Sequence, residues 1–104
     1  MNNTNITPII EDIVHDVLVG IELPDKEDWI IITRGIYTCV FYQENKSKIF
    51  FCGYIVEDNP LHNGMLEVII PNNTRSKLFF NKDAAVAAIK YLKDVDGRNS
   101  IELK

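Results

Sequence analysis

Apolar and polar positions change rhythm along this chain, and the changes mark its elements. Ile9, Ile10, Ile13, Val14, Val17 and Leu18 recur at the spacing of a single helical stripe. Glu11, Asp12, His15 and Asp16 fall on the other side of the same helix. Thr7 is placed to act as N-cap, and Pro8 takes the first helical position, where its missing N–H costs nothing. Gly20 suits the position just past the end. The pattern predicts a helix over residues 8–19, with residues 1–6 frayed.

The rhythm then shortens. Residues 21–28 read as an acidic connection, because Pro24 argues against a central strand. Residues 29–33, 36–44, 48–57, 65–70 and 76–80 are rich in β-branched and aromatic side chains and predict strands. Arg34-Gly35, Asn45-Lys46-Ser47, the 59–64 loop and Pro71-Asn72-Asn73-Thr74 separate them. The helical period returns after Asn81, a good N-cap, over residues 82–93, with Ala85, Ala88, Ile89 and Leu92 facing inward. Residues 95–104 are expected as a loose tail or a short strand. The links between strands are too short for parallel crossovers, which need about a dozen residues. The expected architecture is a single α+β domain over residues 1–104. It consists of an N-terminal helix, an antiparallel meander sheet of four to five strands, and a C-terminal helix packed on the sheet.

The central hairpin is apolar on both faces, whereas a sheet with one wet face alternates. With Asn45-Lys46 as a two-residue loop, Cys39 faces Cys52, Phe41 faces Phe50 and Tyr37 faces Tyr54, all on one side. Ile36, Val40, Tyr42, Ile49, Phe51 and Ile55 occupy the other. Two helices covering one face each would bury both sets. A face left open would present Tyr37, Phe41, Phe50 and Tyr54 as an aromatic patch suited to a homodimer or an assembly partner. The same register sets the two cysteines about 4.5 Å apart at Cα, at the lower edge of disulfide geometry. They are either a redox-sensitive staple or two reduced, buried thiols.

Composition narrows the classes. The chain has 104 residues, 46% hydrophobic and 25% charged, as expected of a globular domain that needs no staples. The apolar run Trp29 to Ile32 is strand-sized, and no uninterrupted apolar run approaches a membrane span. The opening Met1-Asn2-Asn3-Thr4-Asn5 has no basic region followed by an apolar core, so a cytoplasmic protein is expected. A net charge of −4 and the absence of a basic stripe disfavour direct nucleic-acid binding.

Candidate chemistry is sparse. His15 and His62 are the only histidines. His15 follows Glu11 by one turn, a spacing typical of an exposed pair. His62 sits in a loop with no nucleophile or orienting carboxylate tied to it. There is no Cys-x-x-Cys, phosphate-cradling glycine loop or EF-hand spacing. No catalytic residue, cofactor or metal is therefore expected.

What stands out is where the charge lies. Residues 1–28 carry Glu11, Asp12, Asp16, Glu22, Asp25, Glu27 and Asp28 against Lys26 alone, while residues 29–104 carry eight acids against ten bases. The whole negative excess belongs to the first helix and the connection after it. Such a cluster is either a solvated face or a surface that steers a basic partner. The functional expectation is a small non-catalytic inhibitor that binds a basic protein such as a toxin or a nucleic-acid enzyme. It takes the form of a bacterial immunity protein or, alternatively, a phage counter-defence inhibitor of anti-restriction or anti-CRISPR type. The other alternative is a homodimeric structural or assembly protein using the aromatic hairpin face.

Overall fold

The computed structural model describes residues 8–20, 25–58, 63–71, 76–95 and 100–103. Helix α1 spans Pro8–His15, and the chain continues as a π-helical turn over Asp16–Gly20. The expected helix is thus present but widens in its last turn. Val17 stays buried with Ile10 and Ile13, while Asp16 reaches outward to the Arg34 guanidinium. The expected cap, Thr7, lies outside the described residues.

Strands β1 (Asp28–Arg34), β2 (Tyr37–Asn45), β3 (Lys48–Val56), β4 (Leu66–Ile69) and β5 (Ser76–Phe79) pair antiparallel in simple sequence order. Helix α2 (Lys82–Val95) follows and packs on the sheet, giving an α+β fold. A short β6 (Ile101–Glu102) pairs with β3 at Phe50 and Phe51, and Tyr54–Val56 of β3 carry β4.

The β1–β2 connection follows directly from its glycine. Arg34 pairs with Tyr37 across Gly35-Ile36, and Gly35 has φ 59° at the first central position, as a type II′ turn requires. At the start of α2, the Asn81 side-chain oxygen accepts the Ala84 backbone N–H at 2.8 Å, the N-cap the sequence predicts.

The β2–β3 hairpin departs from the expected register. Asn45 pairs with Lys48, so the loop is Lys46-Ser47. Two side chains fix that choice. Asn45 Oδ1 accepts the Ser47 N–H at 2.8 Å, and Asp25 Oδ1 accepts the Lys46 N–H at 3.0 Å. Glu44 and Cys52 are then the extra residues of two β-bulges, since Gln43 faces Ile49, Phe41 faces Phe51 and Val40 faces Gly53. Cys39 consequently faces Tyr54, Tyr42 faces Phe50 and Tyr37 faces Val56.

The bulges reassign the faces. Ile10, Ile13, Val17, Cys39, Phe41, Ile49, Phe51 and Tyr54 form one buried cluster beneath α1. Val40, Cys52, Ile55, Leu66, Val68, Ile70, Ala85 and Ile89 form a second beneath α2. The double apolar character of the hairpin is therefore explained by one helix on each face. Cys39 and Cys52 belong to opposite sides of the sheet and are free thiols, which removes the staple.

Candidate partner-binding surface

The described part of the expected acidic surface is divided between α1 with its π-helical turn and the N-terminal end of β1. Glu11 and Asp12 stand exposed on α1, opposite the buried Ile10 and Ile13. Asp16, just beyond, pairs with Arg34 at the C-terminal end of β1. Asp25, Glu27 and Asp28 are exposed at the N-terminal end of β1, beside Gln43 of β2. The end of β1 that Asp16 meets lies about 20 Å from the end that Asp28 begins, the length of a seven-residue strand. Asp28 alternates onto the same sheet face as Ile30 and Ile32, which is the α1 face. Glu22 lies outside the described residues.

Four of the six described carboxylates also have structural work. The Tyr42 hydroxyl donates to Glu27, and Asp25 holds the β2–β3 turn. Asp16 is engaged by Arg34, both side chains being about 40% exposed, so solvent screening keeps that pair weak. Asp28 accepts the neighbouring Trp29 N–H at 2.8 Å. Glu11 and Asp12 are exposed and make no ion pair with a described residue.

The aromatic alternative is dispersed. Phe41 and Tyr54 are almost fully buried under α1, Tyr37 is half-buried at the same cluster, and Phe50 lies on the α2 face. The four do not form an exposed patch, because the bulge at Cys52 puts Phe50 and Tyr54 on opposite sides. The α2 face carries instead an arrangement that the sequence did not announce. Lys93 Nζ lies 4.7 Å from the ring centres of both Tyr42 and Phe50, and Lys90 Nζ lies 5.5 Å from that of Trp29. Lys90 and Lys93 are spaced i, i+3 on α2, and their stems cover the half-buried aromatic row.

The remaining chemistry is that of a core. Burial pushes the Cys39 thiol up to about 12, against the pull of Arg34, and burial likewise raises Cys52 to about 12, with Lys93 opposing and Asp94 reinforcing. Burial also lifts the Tyr54 phenol to about 12. Such thiols are protonated at neutral pH and poor nucleophiles. His15 lines a shallow cleft with Glu11, Val14, Leu18, Phe51, Ile101 and Leu103, and His62 lies outside the described residues. Among the described residues no three His, Cys, Asp or Glu side chains gather as a metal site. None of the described helices is long and apolar enough to cross a membrane. No protein-family model matches this chain, and no curated protein or solved structure matches it either.

Proposed function

We propose that this chain is a small inhibitor that binds a basic protein, in the manner of an immunity protein neutralising a toxin. The observation that carries this reading is the pair Glu11 and Asp12, exposed on the outer side of α1 and free of ion pairs with the described residues. Asp25, Glu27 and Asp28 add charge at the far end of β1. A protein interface of ordinary size covers about 800 Å² per partner, a patch roughly 30 Å across, which exceeds the length of β1 between Asp28 and the strand end that Asp16 meets. Their contribution is long-range attraction and partner choice more than raw affinity. A phage counter-defence inhibitor would present the same surface to a different basic enzyme.

The test uses the full chain immobilised against lysate of its own host, compared with a Glu11→Lys/Asp12→Lys double variant. Both positions are exposed, so the variant retains the wild-type circular dichroism. Wild type is expected to retain a basic protein that elutes with salt. The reversed chain is expected to associate with that protein at least about tenfold more slowly at low ionic strength. Equal association rates for the two chains, or retention only of acidic proteins, would refute the acidic-surface reading.

A further inference from the structure

The sheet has two outer edges, and they are built differently. β5 is four residues long with Lys77 inside it, two features that discourage pairing with another strand. β1 is seven residues long, its interior is Trp29-Ile30-Ile31-Ile32-Thr33, and its only charges sit at the tips, Asp28 and Arg34. Among the described residues no strand pairs with its outer side, and Ile31 at its centre is 44% exposed.

Backbone geometry specifies which groups face outward. The two-residue loop Gly35-Ile36 makes the flanking Arg34–Tyr37 pair a hydrogen-bonded one. Alternation then turns the N–H and C=O groups of Asp28, Ile30, Ile32 and Arg34 toward β2. Those of Trp29, Ile31 and Thr33 are left facing out.

The strand is complementary to its own reverse. In an antiparallel pair centred on Ile31, that residue faces its own copy, Ile30 faces Ile32, and Trp29 faces Thr33. Asp28 then faces Arg34 at both ends. We propose that the protein forms a homodimer by antiparallel pairing of β1 with β1 of a second copy in this register, joining two sheets into one. A shift of one residue would set outward-facing backbone groups against groups already bonded to β2. A shift of two would lose both charge pairs. The outward residues supply about four interchain backbone hydrogen bonds directly, and two more once each Trp29 N–H exchanges Asp28 Oδ1 for the Thr33 carbonyl of the second copy. Arg34 and Asp28 share the α1 face, and the five N–H donors of the guanidinium suffice for Asp16 and the partner's Asp28 together. On the other face, Ile31 meets its copy at the mouth of a cleft lined also by Lys82, Val86 and Lys90.

This inference does not depend on the inhibitor reading, because the two share only Asp28 and that reading is carried by Glu11 and Asp12 on α1. The test is sedimentation equilibrium of the full chain at micromolar concentration, with twice the 11.9 kDa chain mass expected. Ile31→Lys sets two like charges against each other on the axis and is expected to raise the dissociation constant by at least about thirtyfold, the scale of a central interface residue. Disulfide capture gives a second measurement that does not rely on that variant folding. Facing residues of a hydrogen-bonded pair lie about 5.5 Å apart at Cα, within disulfide reach, so Ile31→Cys should cross-link under oxidation. Leu78→Cys, exposed on β5, should not. The native Cys39 and Cys52 are buried and do not compete. A monomer at every concentration overturns the proposal. So does a dimer that Ile31→Cys fails to capture, or one captured through Leu78→Cys.

Discussion

Replacing Gly53 with alanine tests the bulge that organises both cores. A Cβ at this position would lie 2.9 Å from the Ile69 carbonyl oxygen, 3.2 Å from Ile70 Cδ1 and 3.5 Å from Ile89 Cδ1. The isoleucine methyls can turn away, but the carbonyl belongs to β4, which pairs here with β3 through Tyr54 and Ile69. Moving it strains the ladder. The backbone also sits at φ 154°, a conformation that L side chains rarely adopt. Overpacking of a filled core costs about 1–3 kcal/mol, and an unfavourable backbone region adds a similar amount, so Gly53→Ala should destabilise by about 3–4 kcal/mol. For a domain of this size that lowers the melting temperature by about 15–25 °C. Gly35→Ala is the control. Gly35 has φ 59° but no atom within 4 Å of the new Cβ, so it isolates the conformational part at about 1 kcal/mol. Urea and thermal unfolding of both variants, followed by circular dichroism, give the comparison. A Gly53→Ala chain no less stable than Gly35→Ala would show that β4 does not approach β3 as closely as described.

Asn81→Ala removes the acceptor for the Ala84 N–H and should cost about 1 kcal/mol, seen as a lower urea midpoint with an unchanged slope. The two thiols should resist alkylation in the native state at pH 8 and react on unfolding, since burial keeps them protonated. Their pH signature follows from the same shift. Folded thiols hold their protons up to about 12, while unfolded ones ionise from an ordinary value of 9.0, so stability is unaffected below pH 9 and falls between pH 9 and 12. Cys52→Ala should flatten that decline in urea midpoints measured across the interval.

The helices were legible because their signals are local. The stripe from Ile9 to Leu18 and the Asn81 cap each depend on residues within a few positions, and antiparallel pairing followed from short connections. The hairpin register was not legible, for a physical reason. Its loop is chosen by Asp25, twenty-one residues before Lys46, and by a bulge whose glycine makes room for the carbonyl of β4. A single extra residue at Cys52 exchanges the faces of Phe50 and Phe51, so a correct list of apolar residues still gave a wrong aromatic patch. The acidic excess was legible as composition. The separation of Asp16 from Asp28 by the length of β1, about 20 Å, was not, because it depends on Asp16 meeting Arg34 at the far end of the strand that Asp28 begins.

The two proposed surfaces are linked by symmetry and separable by salt. Antiparallel pairing of two β1 edges places the two-fold axis across the sheet, so both copies of α1 lie on the same side of the joined sheet. Glu11 and Asp12 are then presented twice toward one half-space, while each Asp28 is drawn into a charge pair with the other copy's Arg34. The acidic surface available to a partner is thereby concentrated on α1, where these two side chains have no ion pair with described residues. The contact between copies rests on backbone hydrogen bonds and facing isoleucines, which ionic strength changes little. The contact with a basic partner rests on exposed carboxylates, which salt screens over about 8–10 Å. Raising the salt should therefore dissociate the partner before the dimer. This order follows from what covers each of the two proposed surfaces.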